Sequence, residues 1–264
     1  MTYINLLTLN TNRPKIVFRE APTPTMSTPA YTSADSFVTN PLSEKLGSVQ
    51  EIEARARANP EIMRILNENK IPLKVNIKAL EELQSGHLKN ARINAAKIYS
   101  SLPEDLKRGV NGVQGVNEGV NQGVNMSNIQ QAAMFHDIGK VLIPENILNK
   151  KGKLTEEERK IMETHSELGY ELLKNTGLNK DVLNIIKYHH QNPTADGYPK
   201  TGQDFNYNLE LDILRAADEY TALREERPYK SALSKQEALS IIEEDVKKGY
   251  ISPEVYNALE KSAS

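Results

Sequence analysis

From Pro41 to the end of the chain, apolar residues recur every three or four positions, and no segment keeps a sustained period of two. The longest run is Ile77, Leu80, Leu83, Leu88, Ala91, Ala95 and Ile98, which predicts one helix from about Val75 to Leu102 with His87 in its middle. Before it, Ser43 can cap a helix through about residue 58. Asn59-Pro60 opens another, carrying Ile62, Met63, Ile65 and Leu66, and Ile71-Pro72 ends it. Ser127 or Asn128 begins a helix reaching Ile138. Thr155 and Glu158 form a capping box for a helix through about residue 174, and Asn179 starts one with His189 and His190 near its end. Helices over about 210–224, 234–248 and 252–262 complete the pattern, the last opened by Ser252-Pro253. The expected fold class is all-α.

Two segments stand outside this pattern. Residues 21–41 contain 12 Pro, Thr or Ser in 21 positions, a composition that cannot bury enough surface to offset the entropy of ordering, so 1–41 reads as a disordered Ser/Thr/Pro-rich arm. Residues 109–125, GVNGVQGVNEGVNQGVN, repeat a Gly-Val-Asn unit far shorter than any solenoid repeat and read as an inserted flexible loop. His87 and His136 lie 49 residues apart; without the 17 residues of the repeat, 32 remain, the interval needed by helix, turn and helix.

Composition narrows the chemistry. The 264 residues, 38% of them hydrophobic, supply a core for one sizeable domain. There is no cysteine, which excludes disulfides, thiolate zinc sites, iron–sulfur clusters and a cysteine nucleophile. Any bound metal must take imidazole and carboxylate. A net charge of -2 leaves no basic surplus to neutralise a polyphosphate backbone, so no nucleic-acid polymer is expected as partner. The first twenty residues lack the layout of a secretory signal, and no stretch of about eighteen apolar residues predicts a membrane span; a cytoplasmic protein with no membrane partner is expected.

The histidines then become informative. In order they are His87, His136, His165, His189 and His190, every histidine in the chain, joined by Asp137 beside His136 and by Asp218. Each falls on a predicted helix or at its end, among small or apolar neighbours. A single such histidine reads as a satisfied core or surface residue. Five would each carry a desolvation cost without a shared purpose, whereas metal binding serves all of them. Seven candidate ligands are too many for one ion with an open position and suit two divalent ions, with Asp137 bridging.

The ordered series H, HD, H, HH, D is similar to the ligand pattern of the HD superfamily of metal-dependent phosphohydrolases. The surrounding text, FHDIGKVLIPENILNKKGKLTEEERKIMETHSELGYELL, then HH, then GYPK, then ADEYTALREERPYK, resembles the HD-GYP family of cyclic di-GMP phosphodiesterases. The likeness covers about residues 75–262 and is densest from Phe135 to Lys230. It implies a helical HD bundle over 75–264, carrying the 109–125 insert and preceded by a helical extension over 42–74. It also implies one metal on His87, His136, Asp137 and Asp218, and a second on Asp137, His165, His189 and His190. Iron or manganese lead the candidates for the two ions. Asp137 and Lys140 would be catalytic, with Lys140 on the scissile phosphate; Tyr198 of the GYP loop, Arg227 and Lys230 would join Lys140 in binding substrate. On a continuing helix, Lys140 would share a face with Asp137, three residues earlier.

The implied activity is hydrolysis of a cyclic dinucleotide, cyclic di-GMP first, by a metal-activated water, with a small nucleotide as the partner and a homodimer left open. The chain departs from the family at several points: Leu83 stands where many members have a metal-holding Glu, Gln191 and Thr194 occupy usually acidic positions, and Thr221 replaces an Asp. These departures keep two alternatives: an HD phosphohydrolase acting on another nucleotide or phosphate ester, and a non-catalytic HD-fold module binding a nucleotide or a protein.

Overall fold

The structure, a computed structural model, describes residues 45–83, 86–109, 123–203, 205–226 and 231–263. The arm over 1–41, most of the Gly-Val-Asn repeat, Ser43, Arg227 and Lys230 lie outside these residues.

Among the described residues the regular elements are helices, as the apolar spacing predicts. In chain order they are α1 (Val49–Ala58), α2 (Pro60–Glu68), α3 (Ile77–Leu83), α4 (Gly86–Ser101), α5 (Glu104–Arg108), α6 (Met126–Phe135), a 3-10 turn (Ile138–Leu142), α7 (Glu145–Leu148), α8 (Glu156–Glu163), α9 (His165–Leu173), α10 (Lys180–Tyr188), α11 (Leu209–Arg224), α12 (Lys235–Lys247) and α13 (Pro253–Ser262). No helix among them is long and apolar enough to cross a membrane.

Several starts match their predicted chemistry. Asn59 accepts from the backbone N–H of Glu61 and Ile62, Thr155 and Glu158 form a reciprocal capping box, and Asn179 accepts from Val182 N–H. Others differ from expectation. The cap of α1 is Ser48, in a capping box with Glu51, because Gly47 at φ +77° turns the chain immediately before it. The helix expected from Val75 to Leu102 is described as α3 and α4, with residues 84–85 between them outside the described residues, and His87 is the second described residue of α4. The helix expected over 155–174 breaks at Thr164, whose hydroxyl donates to Ile161 carbonyl at 2.7 Å.

Two apolar clusters form the core. One joins α1, α2, the 3-10 turn, α9 and α10 through Ile52, Ile62, Leu66, Leu142, Leu168 and Ile186; the other joins α4, α6, α11, α12 and α13 through Ile98, Ile129, Ile213, Ile242 and Val255. Helix α11 serves both, with Leu211 and Leu214 in the first and Ile213 and Ala217 in the second. The helix ends that carry the histidines are thereby fixed against a shared scaffold.

Candidate metal centre

The candidate ligands come from the ends of helices. His136 and His189 are the C-cap residues of α6 and α10, His165 is the first residue of α9, His87 lies in the first turn of α4, and Asp218 faces them from α11. Carbonyls near a helix C-terminus lack intrahelical donors, and these rings supply them. His136 Nδ1 donates to Ala133 carbonyl at 3.1 Å and His189 Nδ1 to Ile186 carbonyl at 2.7 Å; His165 Nδ1 does the same to Met162 carbonyl at 2.7 Å. A carbonyl can only accept, so each Nδ1 carries a proton and each Nε2 is turned inward.

What the inward Nε2 atoms meet is Asp137. Its Oδ1 lies 3.4 Å from His165 Nε2, while its Oδ2 lies 3.7 Å from both His87 Nε2 and His136 Nε2. One carboxylate thus divides its oxygens between two groups of histidines. Asp218 Oδ1 completes one side, 3.0 Å from His87 Nε2 and 3.4 Å from His136 Nε2. On the other side His165 and His189 bring their Nε2 atoms to 3.2 Å, with His190 packed against both rings. The ligand atoms of His87, His136 and Asp137 lie within 4.8 Å of one another, as do those of His165, His189 and His190.

These donors fit divalent metal ions. His136 is wholly buried and its Nε2 has no hydrogen-bond partner, an orphaned ring nitrogen in the protein interior. Burial, then the neighbouring Lys140 ammonium, depresses His165 to about 4; burial with the adjacent rings holds His189 and His190 well below their ordinary value. Metal-ligating imidazole must be neutral, and these three are. Burial opposes ionisation of Asp137 and Asp218, yet Lys140 and His136 around the first, and His136 and His87 around the second, hold both well below the usual carboxylate range.

The turn after Asp137 is 3-10, not a continuing α-helix. Residues three apart eclipse in a 3-10 turn, so Lys140 still shares the face of Asp137, and its Nζ donates to Oδ2 at 2.7 Å. Gly139 makes the turn possible: a Cβ there would lie 1.8 Å from His165 carbonyl oxygen and 2.6 Å from Gly169 nitrogen.

The loop carrying Tyr198 is tied to the histidine pair. The Tyr198 ring stacks on His190 with centroids 4.4 Å apart, and the two residues form an isolated antiparallel bridge. Gln191, fully buried, donates through Nε2 to Pro199 carbonyl and accepts through Oε1 from Gly197 N–H. Gln191 at a usually acidic position therefore latches the loop. Arg215 supports the pair from below, donating to the carbonyls of His190 and Gln191. Thr221 is buried, donating to Ala217 carbonyl and accepting from Asn94. Gln191, Arg215 and Glu225, which accepts from His87 Nδ1 at 2.7 Å, were not among the expected site residues; Glu225 lies seven residues past Asp218, a same-face spacing that could have found it.

The family model described as "HD domain" matches residues 116–255. The chain is 38% identical over 117 residues to the cyclic di-GMP phosphodiesterase response regulator RpfG of Xanthomonas campestris, covering 43% of this chain and 31% of that protein. It is 34% identical over 134 residues to the 3'3'-cGAMP-specific phosphodiesterase 3 of Vibrio cholerae, covering 51% of this chain and 29% of that protein. The alignment thus spans about a third of the length of these relatives. Among solved structures, the HD domain of the L. monocytogenes phosphodiesterase PgpH in complex with cyclic-di-AMP aligns at a TM-score of 0.44 and 18% identity, over 67% of this chain and 88% of that one.

Proposed function

The chain belongs to the HD domain family, and from that premise we propose that it is a metal-dependent phosphodiesterase that hydrolyses a cyclic dinucleotide, with cyclic di-GMP as substrate and two divalent ions, iron or manganese, as cofactor. The observation that carries this reading is the division of Asp137 between two groups of inward-facing imidazoles. One ion would be held by His87, His136, Asp137 and Asp218, the other by Asp137, His165, His189 and His190. When bound, such ions lower the pKa of water and offer positive charge to phosphoryl oxygens.

The remaining roles belong to side chains. Lys140, a quarter exposed beside Asp137, supplies a further cation for a phosphoryl oxygen while its Nζ is already oriented. Tyr198, held on His190 by the Gln191 latch, lines the approach, and Arg227 and Lys230 bind the nucleotide's phosphate side. The names of both relatives concern cyclic dinucleotides, one cyclic di-GMP and one 3'3'-cGAMP, which supports the substrate class more strongly than the individual member.

A second reading, hydrolysis of a different nucleotide or phosphate ester on the same metals, is favoured by Gln191 and Thr221. Both stand at usually acidic positions and both have their polar atoms engaged internally.

The test is turnover by manganese-loaded protein of cyclic di-GMP, 3'3'-cGAMP and a generic phosphodiester. Cyclic di-GMP is expected to be cleaved fastest, to the linear dinucleotide or GMP. Lys140→Met is expected to lower turnover by about 10²–10³-fold with metal retained. Metal-loaded protein that cleaves neither cyclic dinucleotide contradicts the reading, and faster cleavage of the generic ester favours the second.

A further inference from the structure

His87 differs from the other site histidines whose ring contacts are described above. His136, His165 and His189 rest their Nδ1 atoms on backbone carbonyls of their own chain turn. His87 rests its Nδ1 on a side-chain carboxylate from another helix, Glu225 Oε2 at 2.7 Å. The second oxygen of that carboxylate, Oε1, accepts from Asn90 Nδ2 at 3.0 Å, so Glu225 grips helix α4 at two points one turn apart. Asp218 and Glu225 stand seven residues apart, the first within α11 and the second at its C-cap, and address opposite nitrogens of the same ring: Asp218 Oδ1 faces Nε2 at 3.0 Å.

The location argues against an incidental ion pair. Glu225 is the C-cap residue of α11, where the helix dipole disfavours an anion. A carboxylate there needs partners to offset that cost, and among them are the His87 ring and the Asn90 amide. A carboxylate on the distal N–H of an imidazole fixes its tautomer and ring plane and makes the other nitrogen a stronger donor.

Resting on the metal-site reading above, we infer that Glu225 is the positioning residue for His87: it holds Nδ1 protonated and turns Nε2 toward Asp218 and Asp137, so that the affinity of the ion on the His87 side depends on it. Glu225 is not itself a ligand, because its oxygens lie on the far side of the ring.

The experiment is a competition titration of the full chain with zinc against a chromophoric chelator, for wild type, Glu225→Ala and Glu225→Gln, with melting temperature recorded for each. Wild type is expected to take two equivalents. Glu225→Ala is expected to weaken one of them about 10–100-fold and leave the other unchanged. Glu225→Gln keeps an acceptor oxygen without the charge, and is expected to weaken the same equivalent by about threefold. An Ala variant with wild-type melting and both affinities unchanged overturns the inference. Should that variant fail to fold, the Gln variant decides, and wild-type affinity in it overturns the inference equally. Turnover is read separately: a protein that binds two ions, responds to Glu225 as described and cleaves no dinucleotide contradicts the phosphodiesterase reading and supports this one.

Discussion

His165 and His189 bring their Nε2 atoms to 3.2 Å although each ring already donates through Nδ1 to a backbone carbonyl. Both rings are buried, and burial keeps them neutral. Two neutral imidazoles in that tautomer present lone pair to lone pair, an arrangement that repels unless an electrophile is shared. The packed core around α9 and α10 holds the rings in place without one, so the protein is organised for a positive centre before it arrives.

This organisation has a consequence for acid stability. In the metal-free protein, burial and then Lys140 depress His165 to about 4, and burial with the adjacent rings depresses His189 and His190 well below their ordinary value. Unfolded, all three take up a proton near 6.5. Their contribution to stability is therefore full above pH 6.5 and lost as pH falls from 6.5 through about 4. His87 acts in the opposite sense. Burial alone would lower it, but the carboxylates of Asp218 and Glu225 outweigh burial and raise it to about 10, so its contribution is full below 6.5 and lost as pH rises toward 10. Chelator-treated protein is expected to lose melting temperature between pH 6.5 and 4, with a flatter profile in His189→Gln. Thermal melts across that range check this, and a flat wild-type profile contradicts it.

Gly139→Ala tests the turn that aims Asp137 and Lys140. The new Cβ would meet His165 carbonyl oxygen at 1.8 Å and Gly169 nitrogen at 2.6 Å, both backbone atoms that cannot swing aside. A loss of about 3 kcal/mol is expected, a fall in melting temperature of roughly 6–12 °C for a chain of this size, accompanied by reduced metal content. Calorimetry with metal analysis reads both, and a variant with wild-type melting contradicts the close approach of the turn to α9.

Much of the site was legible because its chemistry is local. Five histidines and two aspartates sit in helical stretches of recognisable motif, and the fold brings all seven together. What escaped was set by contacts between distant segments. The 3-10 geometry after Asp137 follows from Gly139 meeting α9, and the role of Gln191 follows from the returning loop at Gly197 and Pro199. Neither contact has a local signature.

The inserted repeat leaves and rejoins the bundle at neighbouring points. Val124 N–H donates to Lys107 carbonyl at 3.0 Å, and Asn125 N–H donates to Glu210 Oε1 at 2.6 Å, pinning the chain as it enters α6. Replacing residues 110–122 with a Gly-Ser link is expected to leave melting temperature within about 2 °C and metal content unchanged, because loop length alone costs little. Loss of metal in a folded variant would contradict an insert external to the site.

Asp137 is proposed to join two metal-binding groups in one site. Metal analysis of the purified protein tests it most directly, with Asp137→Asn measured alongside. About two first-row ions per wild-type chain are expected, with a large loss in the variant. Fewer than one ion per chain in wild type, with Asp137→Asn no different, would contradict it.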